Sequence, residues 1–509
     1  MIQILKTKVC IVGSGPAGTF ASEFLVKNGI DVIILEEGNE FKNSNSDSFL
    51  DKTFVTENIS FNYGFSKQIG GSSNLWSGRL SILENSDINY GNKEFKSWPI
   101  KYKELFQYYK LASCILNINF EEIWSSNKSI EKHIPNIFKD EIFGNFDFKK
   151  FLWQYPPFNC NDYLKQNHIK FNNFKLISNT KVLKLSQNSQ DGRINYVEAK
   201  SKEHGFLKIE SDFFILANGG IEVPRILLNS NSNSPLGIGN DHEMVGKCLM
   251  THPKANIGLL SLRKSTIIKN RLFNEESQKT FIKYGLGNKE SSNKLNHYLQ
   301  FTPHFSKEFL NPLNYFSKKE KIFNEFFSEK LSFDNSIRNL KLFINNKYFL
   351  SNPYMLKARQ FFIRAYIDQK PNLDNKVFLS NAKDKYGIPK VSINWNLDKA
   401  DKYDFLKFFE NFSNNISINK IGNVESNILK LEKWPLNGLH SHFIGTTRMG
   451  NNPLTSVVDH NCKVHNISNL FIAGPSVFPS GGYANPFLTI SALSLRLSEY
   501  LTKLIMNNK

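Results

Sequence analysis

The stretch that decides the fold is residues 9–38, VCIVGSGPAGTFASEFLVKNGIDVIILEEG. The apolar run at residues 9–12 stops at Gly13, which is typical of a strand buried on both faces of a parallel sheet. Gly13-Ser-Gly-Pro-Ala-Gly18 follows, then an apolar stripe with helical spacing, and then a second apolar run that ends at Glu36. This order of strand, glycine turn, helix, strand and acid predicts a unit that binds a dinucleotide.

Each residue type in this unit has a physical task. Gly13 permits the tight turn, and Gly15 lets the backbone approach a pyrophosphate. Gly18 lets the helix pack closely on the strand, while the free N–H groups at the helix N-terminus attract phosphates. Glu36 lies at the distance along the chain where an acid accepts hydrogen bonds from ribose hydroxyls. The acid favours an unphosphorylated ribose, as in FAD or NAD, and this unit leaves both open.

Length and charge limit the classes of protein. A chain of 509 residues predicts two packed domains. The net charge is +18, but lysine is spread along the chain and no basic cluster is interleaved with aromatic residues, so we expect no nucleic-acid partner. Anionic substrates or a membrane surface fit this charge better. No apolar run is long enough to span a bilayer.

The cysteines point to a compartment. Five cysteines are scattered without metal-like pairing or a Cys-x-x-Cys-His haem motif, so we expect no disulfide, metal site or covalent haem. The first apolar strand begins within ten residues of Met1, which leaves no room for a signal peptide in this sequence. A cytoplasmic protein is therefore expected.

Two further stretches carry adjacent glycines. In residues 64–79, Gly70 and Gly71 precede small hydroxyl residues, a pattern that lets backbone amides approach a planar or anionic ligand, although a plain glycine–serine loop is the alternative. In residues 212–228, an apolar strand runs into a glycine pair and a helical pattern, which indicates a second approach to the nucleotide crevice. His252 is interpreted as structural.

The remaining segments outline the second domain. Residues 39–60 are polar and weakly patterned, as in a surface excursion, and residues 98–116 carry one apolar helical face. Alternation predicts strands over residues 364–397, and the Phe/Ile stripe of residues 318–333 predicts a helix in the core, with a membrane-facing surface as the alternative. Residues 263–435 therefore predict an antiparallel sheet with helices, inserted into the nucleotide-binding domain.

The final segment concentrates reactive residue types. His442 lies in a loop rich in glycine and threonine, a setting that suits catalysis better than packing, and His440 is its local rival. An apolar strand again ends in glycine, at Gly474. Asn485-Pro486 is typical of the start of a helix, whose N-terminus stabilises negative charge on a ligand.

Taken in order, these pieces resemble the glucose–methanol–choline (GMC) flavoprotein oxidoreductases, and within them the sugar- and polyol-oxidising branch. The matching motifs span the chain, whereas residues 39–60 and 263–350 add little. The resemblance rests on the dinucleotide unit, Gly70-Gly71-Ser72-Ser73, Gly219-Gly220-Ile-Glu-Val-Pro224-Arg225, Leu249-Met-Thr-His252-Pro253, the stretch from Pro371 to Leu379, and the C-terminal block with its Gly445-Thr-Thr-Arg448-Met-Gly450 run.

The resemblance implies FAD as the cofactor, with His442 as the active-site base and Asn485 as its partner; the fit to the family motif favours His442 over His440. Members that link FAD covalently do so through a histidine in a Thr-His-Trp context. Here the context reads Asn74-Leu75-Trp76, so non-covalent FAD is expected. The implied FAD-binding residues are Gly13, Gly15, Pro16, Ala17, Gly18, Glu36, Gly70, Gly71, Ser72, Ser73, Asn74, Trp76, Val182, Ala217, Gly474, Ser476, Asn485, Pro486 and Phe487.

The implied fold class is α/β, with two domains. A discontinuous Rossmann-like FAD-binding domain is expected over residues 1–95, 160–262 and 436–509. An inserted α+β substrate domain, built on an antiparallel sheet, is expected over residues 96–159 and 263–435.

The implied function is oxidation of an alcohol group of a sugar, polyol or glycoside. Neutral His442 accepts the hydroxyl proton while hydride leaves for flavin N5, and Asn485 hydrogen-bonds the same oxygen. The electron acceptor, whether oxygen, a quinone or a protein, stays open. Two alternatives are an enzyme of the same fold that acts on a lipid or sterol-like alcohol at a membrane surface, and a flavin-binding scaffold without turnover.

Overall fold

The structure is a computed structural model, and it describes most of the chain. The described residues are 2–40, 50–54, 65–91, 95–125, 146–268, 271–275, 278–289, 295–304, 356–426, 428, 434 and 436–507. The α-helices among them are α1 (Pro16–Lys27), α2 (Asn85–Asn89), α3 (Tyr102–Ile115), α4 (Cys160–Asn167), α5 (Gly219–Asn229), α6 (Lys399–Ile418) and α7 (Phe487–Asn507). Short 3-10 turns lie at Gly71–Asn74 and Pro475–Val477, and a π-helical turn lies at Glu121–Ser125.

The strands fall into three sheets. They are β1 (Gln3–Val12), β2 (Val32–Leu35), β3 (Leu50–Phe54), β4 (Arg79–Leu80), β5 (Phe146–Tyr155), β6 (Phe174–Ile177), β7 (Thr180–Gln187), β8 (Ile194–Ser201), β9 (Gly205–Leu216), β10 (Met250–Ile268), β11 (Arg271–Glu275), β12 (Gln278–Asn288), β13 (Tyr298–His304), β14 (Leu356–Tyr366), β15 (Lys376–Lys383), β16 (Pro389–Asn394), β17 (Gly422–Glu425), β18 (Leu436–Ile444) and β19 (Leu470–Ile472).

The first sheet carries the dinucleotide unit. Its order is β6-β2-β1-β9-β8-β7, and β19 also pairs with β9. β1 runs parallel to β2 and β9 and lies between them. Residues 9–12 are accordingly buried, as their unbroken apolar run predicts. Gly13 therefore follows the carboxyl end of a central strand, where open α/β sheets bind their ligands.

The second sheet is antiparallel and has the order β17-β10-β14-β13-β12-β5-β4, with β11 on β12 and β18 on β10. One face packs against the phenylalanine side of α6 and forms an apolar core that includes Phe361, Ile363 and Ala365 of β14. Side chains alternate along a strand. Tyr366 therefore lies on the other face, in a small aromatic cluster with Phe151, Tyr298, Tyr483 and the half-buried Trp153.

A third, small sheet consists of β15, β16 and β3, and β3 runs parallel to β16. Residues 50–54 are thus a strand and not part of a plain surface excursion. Backbone pairing to β16 supplies the hydrogen bonds, so the segment needs no apolar alternation to form a strand. The rest of the predicted excursion lies outside the described residues, apart from 39 and 40.

The last helix, α7, packs against the first helix, α1, and connects it to α3. α7 is buried over most of its length and packs against α1 and α3. The hydroxyl of Ser498 accepts a hydrogen bond from the N–H of Phe24 at 3.0 Å, and Tyr109 and Thr489 share a hydrogen bond of 2.8 Å. The C-terminal block is therefore held against the N-terminal nucleotide unit.

The predicted fold class is confirmed, with α3 at the expected helix and β14–β16 at the expected strands. The predicted helix at residues 318–333 lies outside the described residues, and the domain boundaries stay a prediction. Among the described helices, none combines the length and the apolar character that crossing a membrane requires.

Candidate active site

The glycine turn after β1 opens directly into α1. Gly13 has a φ of +102°, and a Cβ there would lie 2.9 Å from the carbonyl oxygen of Ala217. A Cβ on Gly18 would overlap the carbonyl oxygen of Gly13, so close packing of α1 on the turn requires glycine. Gly15 has an ordinary φ of −65°, and its Cβ position meets only the Cα of Gly71, at 3.8 Å. The space in front of Gly15 therefore suits a phosphate at the N-terminus of α1, which no described side chain caps.

Glu36 closes this turn from the end of β2. One carboxylate oxygen, Oε2, accepts the N–H and the hydroxyl of Ser14 at 3.0 and 2.8 Å, and Oε1 accepts the N–H of Gly38 at 2.9 Å. Burial raises the pKa of Glu36, and these hydrogen bonds oppose the rise. A carboxylate has about four acceptor sites. Glu36 therefore keeps room for a ribose hydroxyl.

The second glycine loop lies against the first. The N–H of Gly70 donates to the Ser14 hydroxyl at 3.1 Å, and a Cβ on Gly71 would lie 2.9 Å from the Cα of Gly15. The 3-10 turn Gly71–Asn74, which contains Ser72 and the buried Ser73, follows at once. The Asn74 amide donates to two backbone carbonyl groups of its own loop at 2.9 Å each. Asn74 therefore shapes the loop that covers the phosphate turn.

The predicted aromatic and strand contacts lie at two places. Trp76 stacks on Phe487, with ring centroids 3.9 Å apart and planes 5° apart. Val182 is buried in β7 next to Lys181, whose ammonium pairs at 2.9 Å with Glu37, the residue after Glu36. β7 therefore runs beside the acid end of β2, whereas Trp76 lies against the start of α7.

The C-terminal block reaches the same crevice. Gly474 has a φ of +122°, and its Cβ position lies 3.4 Å from the Cβ of Ala17, next to Pro16 in the first turn of α1. The N–H of Thr447 donates to the carbonyl oxygen of Ser476 at 2.8 Å. The segment after β18 is thus joined to the Gly474 turn beside the nucleotide loop.

Buried polar atoms show that this crevice suits a polar ligand. Among the described residues, Oδ1 of Asn218 and the hydroxyls of Thr447 and Ser476 are buried without a hydrogen-bond partner. Buried polar groups of this kind normally have one. Together with the uncapped α1 and the space in front of Gly15, they fit the dinucleotide part of FAD.

His442 and His252 form a pair of imidazole rings at the centre of the candidate site. Their Nδ1 atoms are 2.9 Å apart, and Nε2 of His252 lies 3.4 Å from the carbonyl oxygen of Gly481. Burial, the neighbouring His252 ring and nearby cations lower the pKa of His442 well below its ordinary value. Burial lowers the pKa of His252 to about 4. Both rings are therefore neutral at pH 7.

Two further predicted residues lie just before α7 and on β18. Asn485 is half-buried and directly precedes Pro486, whose carbonyl oxygen accepts the first bond of α7, from the N–H of Ile490 at 2.8 Å. Pro486 thus lies just before the first helical residue and does not occupy it. The backbone of His440 pairs with that of His252, but its side chain lies outside the description. The pairing of Asn485 with His442 stays a prediction.

Sequence reasoning missed the cations beside this centre. Lys254 lies two residues after His252 on β10, and Arg79 begins β4. The positive charges of Lys254 and Arg79 both contribute to the lowered pKa of His442. The only sequence signal was the alternation of His252 and Lys254, which places both side chains on one face of a strand.

Comparison with known proteins agrees with this fold and with FAD as the cofactor. The family model described as an FAD binding domain matches residues 6–52, and two models described as GMC oxidoreductase match residues 160–254 and 371–494. The large subunit of fructose dehydrogenase from Gluconobacter japonicus is 21% identical over 98% of both chains. The pyranose 2-oxidase from Tricholoma matsutake is 28% identical, over 25% of this chain and 22% of its own length.

Solved structures have the same fold. Pyridoxine 4-oxidase from Mesorbium loti superposes with a TM-score of 0.59 at 14% identity, over 98% of this chain and 99% of its own. Formate oxidase superposes with a TM-score of 0.58 at 16% identity, over the whole of both chains. Two parts of this chain thus match the GMC oxidoreductase models, and its N-terminal part matches an FAD-binding domain.

Proposed function

We propose that this protein oxidises an alcohol group of a sugar, polyol or glycoside, with His442 as the base that accepts the hydroxyl proton and Asn485 as a hydrogen-bond donor to the same oxygen. The proposal is supported by the relatives named above and, in this chain, by the contact between His442 and His252. FAD, held by the residues of the crevice, supplies the acceptor for the hydride that leaves the alcohol carbon.

The contact supports one arrangement of the protons on the two imidazole rings. The Gly481 carbonyl can only accept, so the N–H of His252 is at Nε2 and donates to it. Nδ1 of neutral His252 is then an acceptor, and Nδ1 of His442 must carry the hydrogen that joins the two rings. His442 therefore keeps its lone pair on Nε2, where it can accept a proton from substrate.

The electrostatics suit this role. Because its pKa is lowered, His442 stays neutral at physiological pH and is ready to accept a proton. The positive charges of Lys254 and Arg79 stabilise negative charge that develops on a substrate oxygen nearby. Asn485 is uncharged and half-buried, as a donor that fixes the substrate oxygen should be.

Non-covalent FAD is part of the proposal. In the segment Asn74-Leu75-Trp76, Leu75 occupies the position of the linking histidine, and leucine cannot form the bond to FAD. The side-chain amide of Asn74 donates its hydrogen bonds to carbonyl groups of its own loop. Denaturation should release the flavin into the supernatant. Flavin that stays with the precipitated chain would refute this part.

A cytoplasmic location is proposed on the cysteines. Four of the five cysteines are buried, and all five are scattered along the sequence without pairing, which fits a reducing compartment. Fractionation of cells that produce the protein tests it, because recovery outside the cytoplasm would contradict it.

The deciding experiment is anaerobic mixing of the FAD-loaded protein with a panel of sugars, polyols and glycosides. We expect at least one of them to bleach the flavin, and an oxidised product to be recovered. His442→Ala should keep bound FAD but lose reduction by substrate, whereas His204→Ala, on an exposed turn, serves as control. The assignment of the base would be overturned if substrate reduced the flavin of His442→Ala at the wild-type rate. It would also be overturned if flavin reduction were lost in His440→Ala and not in His442→Ala.

A further inference from the structure

Arg79 is a buried cation whose hydrogen-bonding capacity the chain leaves open. The residue is 6% exposed, and its Nη1 donates to the hydroxyl of Tyr366 at 2.7 Å. Its Nε and Nη2 are buried with no partner among the described residues. The guanidinium carbon lies 3.8 Å from the ring centroid of Phe151 and 5.0 Å from that of Trp153. The aromatic rings hold the guanidinium in place, and its free N–H groups remain available to a ligand.

Two more cations share this face of the second sheet. Lys254 lies opposite Tyr366 in the pairing of β10 with β14, and Arg364 lies two residues before Tyr366. Burial and the charges of Arg364 and Arg79 lower the pKa of Lys254 to about 8, so it is still mostly protonated at pH 7. In the described part of the chain, no carboxylate forms an ion pair with any of the three. Three positive side chains that lie close together without a paired carboxylate indicate that a ligand supplies the negative charge.

This face adjoins the proposed base. His252 and Lys254 alternate with one residue between them, so their side chains project from the same face of β10. His252 contacts His442. A ligand held by Arg79 and Lys254 is therefore next to the imidazole pair.

We infer that Arg79 and Lys254, with the exposed Arg364 on the same face, bind an anionic group on the substrate. This group is a carboxylate or a phosphate on the sugar or polyol whose alcohol is oxidised. The inference rests on the proposed function and narrows its substrate class. A planar guanidinium with two free N–H donors suits the oxygens of either group.

The test measures the equilibrium binding of three probes to the FAD-loaded protein by calorimetry under anaerobic conditions. The probes are glucose, glucuronate and glucose 6-phosphate, which separate a neutral sugar, a carboxylate and a phosphate. We expect one anionic probe to bind roughly tenfold or more tightly than glucose, because charge-assisted hydrogen bonds are about twice as strong as neutral ones. The tighter of the two anions identifies the chemistry.

Variants locate the effect. Arg79→Met should weaken the preferred anion at least roughly tenfold more than it weakens glucose. If Arg79→Met fails to fold, the half-buried Lys254→Met tests the same ratio, and the exposed Arg364→Gln should reduce it by a smaller factor. Arg359→Gln is the matched control, because Arg359 is exposed on the opposite face of the same strand.

Three results would overturn the inference. Glucose could bind as tightly as both anions, or Arg79→Met could weaken the binding of all three probes equally. Arg79→Met could also lower the flavin reduction potential while the ratio of anion affinity to glucose affinity stays unchanged. The last would assign Arg79 to the reduced cofactor. Binding needs no turnover, so an anion that binds but is not oxidised would count against the proposed function and not against this site. Oxidation of neutral sugars, with no tighter binding of the anionic probes, would count against this site and not against the proposed function.

Discussion

At the scale of single residues, the proposed chemistry rests on the contact between two neutral histidines, which gives His252 a proposed positioning role. Without the acceptor on His252, the hydrogen on Nδ1 of His442 loses the hydrogen bond that orients it towards that ring. We expect His252→Ala to slow flavin reduction by about 10–100-fold, the scale of a misplaced reacting group. His252→Gln, which offers an amide oxygen to the same hydrogen, should recover part of the rate. A rate equal to wild type in His252→Ala, measured by anaerobic stopped flow, would exclude the role.

The lowered pKa of His442 predicts a pH profile. The base works only when neutral, so activity falls on the acid side as pH drops through this pKa. Since the pKa is lowered from the usual value of about 6.5, the acid limb of kcat/KM should lie below pH 6.5. Lys254→Met removes one of the charges that lower it and should move the limb to higher pH for a neutral sugar. The exposed Lys383→Met is the control, and an identical shift in both variants would contradict the prediction.

At the scale of elements, a buried charge network joins α5 to its neighbours. The Arg225 guanidinium pairs with Glu222 of the same helix at 3.0 Å and with Asp384, after β15, at 2.7 Å. Lys181 of β7 also pairs with Glu222, at 2.9 Å. We expect Arg225→Met to cost about 3–5 kcal/mol, because it leaves buried carboxylates uncompensated. Denaturant unfolding measures this, and exposed Arg193→Met should change stability little.

The same network predicts acid sensitivity. Burial alone would raise the pKa of Glu222, but Lys181 and Arg225 lower it to about 2. Its contribution to stability is therefore fully present above the unfolded value of about 4.3 and is lost as the pH falls towards 2. Glu222→Gln should flatten the stability curve across that window. A curve parallel to wild type between pH 5 and about 2 would show that Glu222 is not linked to folding.

The two glycines of the nucleotide turn should fail in different ways. A Cβ on Gly18 would overlap the Gly13 carbonyl, so Gly18→Ala should destabilise the fold even without FAD. Gly15→Ala fits within the protein but places a methyl group where a phosphate approaches. It should therefore weaken FAD binding and spare the unfolding midpoint of the apoprotein. Equal loss of apoprotein stability in both variants would contradict this distinction.

At the scale of the whole molecule, local chemistry was predictable and distant pairings were not. Gly13, Gly18 and Glu36 lie in one contiguous unit, and its order of elements predicts their tasks from the sequence alone. His252 meets His442 across 190 positions, and Arg79 meets Tyr366 across 287. A single sequence contains no pattern that indicates which distant residue each of these side chains will contact. β3 was missed for a related reason, because its pairing with β16 is made by backbone groups that any residue supplies.

The crevice predicts that bound FAD stabilises several distant segments of the chain together. Its walls come from the Gly13 turn, the Gly70 loop, the end of β9 at Ala217 and the Gly474 turn, which lie far apart in the sequence. A ligand that binds only the folded protein stabilises it by about 2.7 kcal/mol at a hundred times its Kd. We therefore expect FAD to raise the unfolding midpoint in proportion to the logarithm of its concentration.

Hydrogen exchange tests whether that stabilisation reaches every wall. Because each wall contributes part of the crevice, bound FAD should slow exchange in all of them together, including the Gly474 turn near the C-terminus. Gly15→Ala, with weaker binding at one wall, should require more FAD for the same protection throughout. Protection confined to residues 9–38 would mean that the N-terminal unit binds the cofactor alone, and that the C-terminal block with His442 is held by packing of α7 on α1 and not by the flavin.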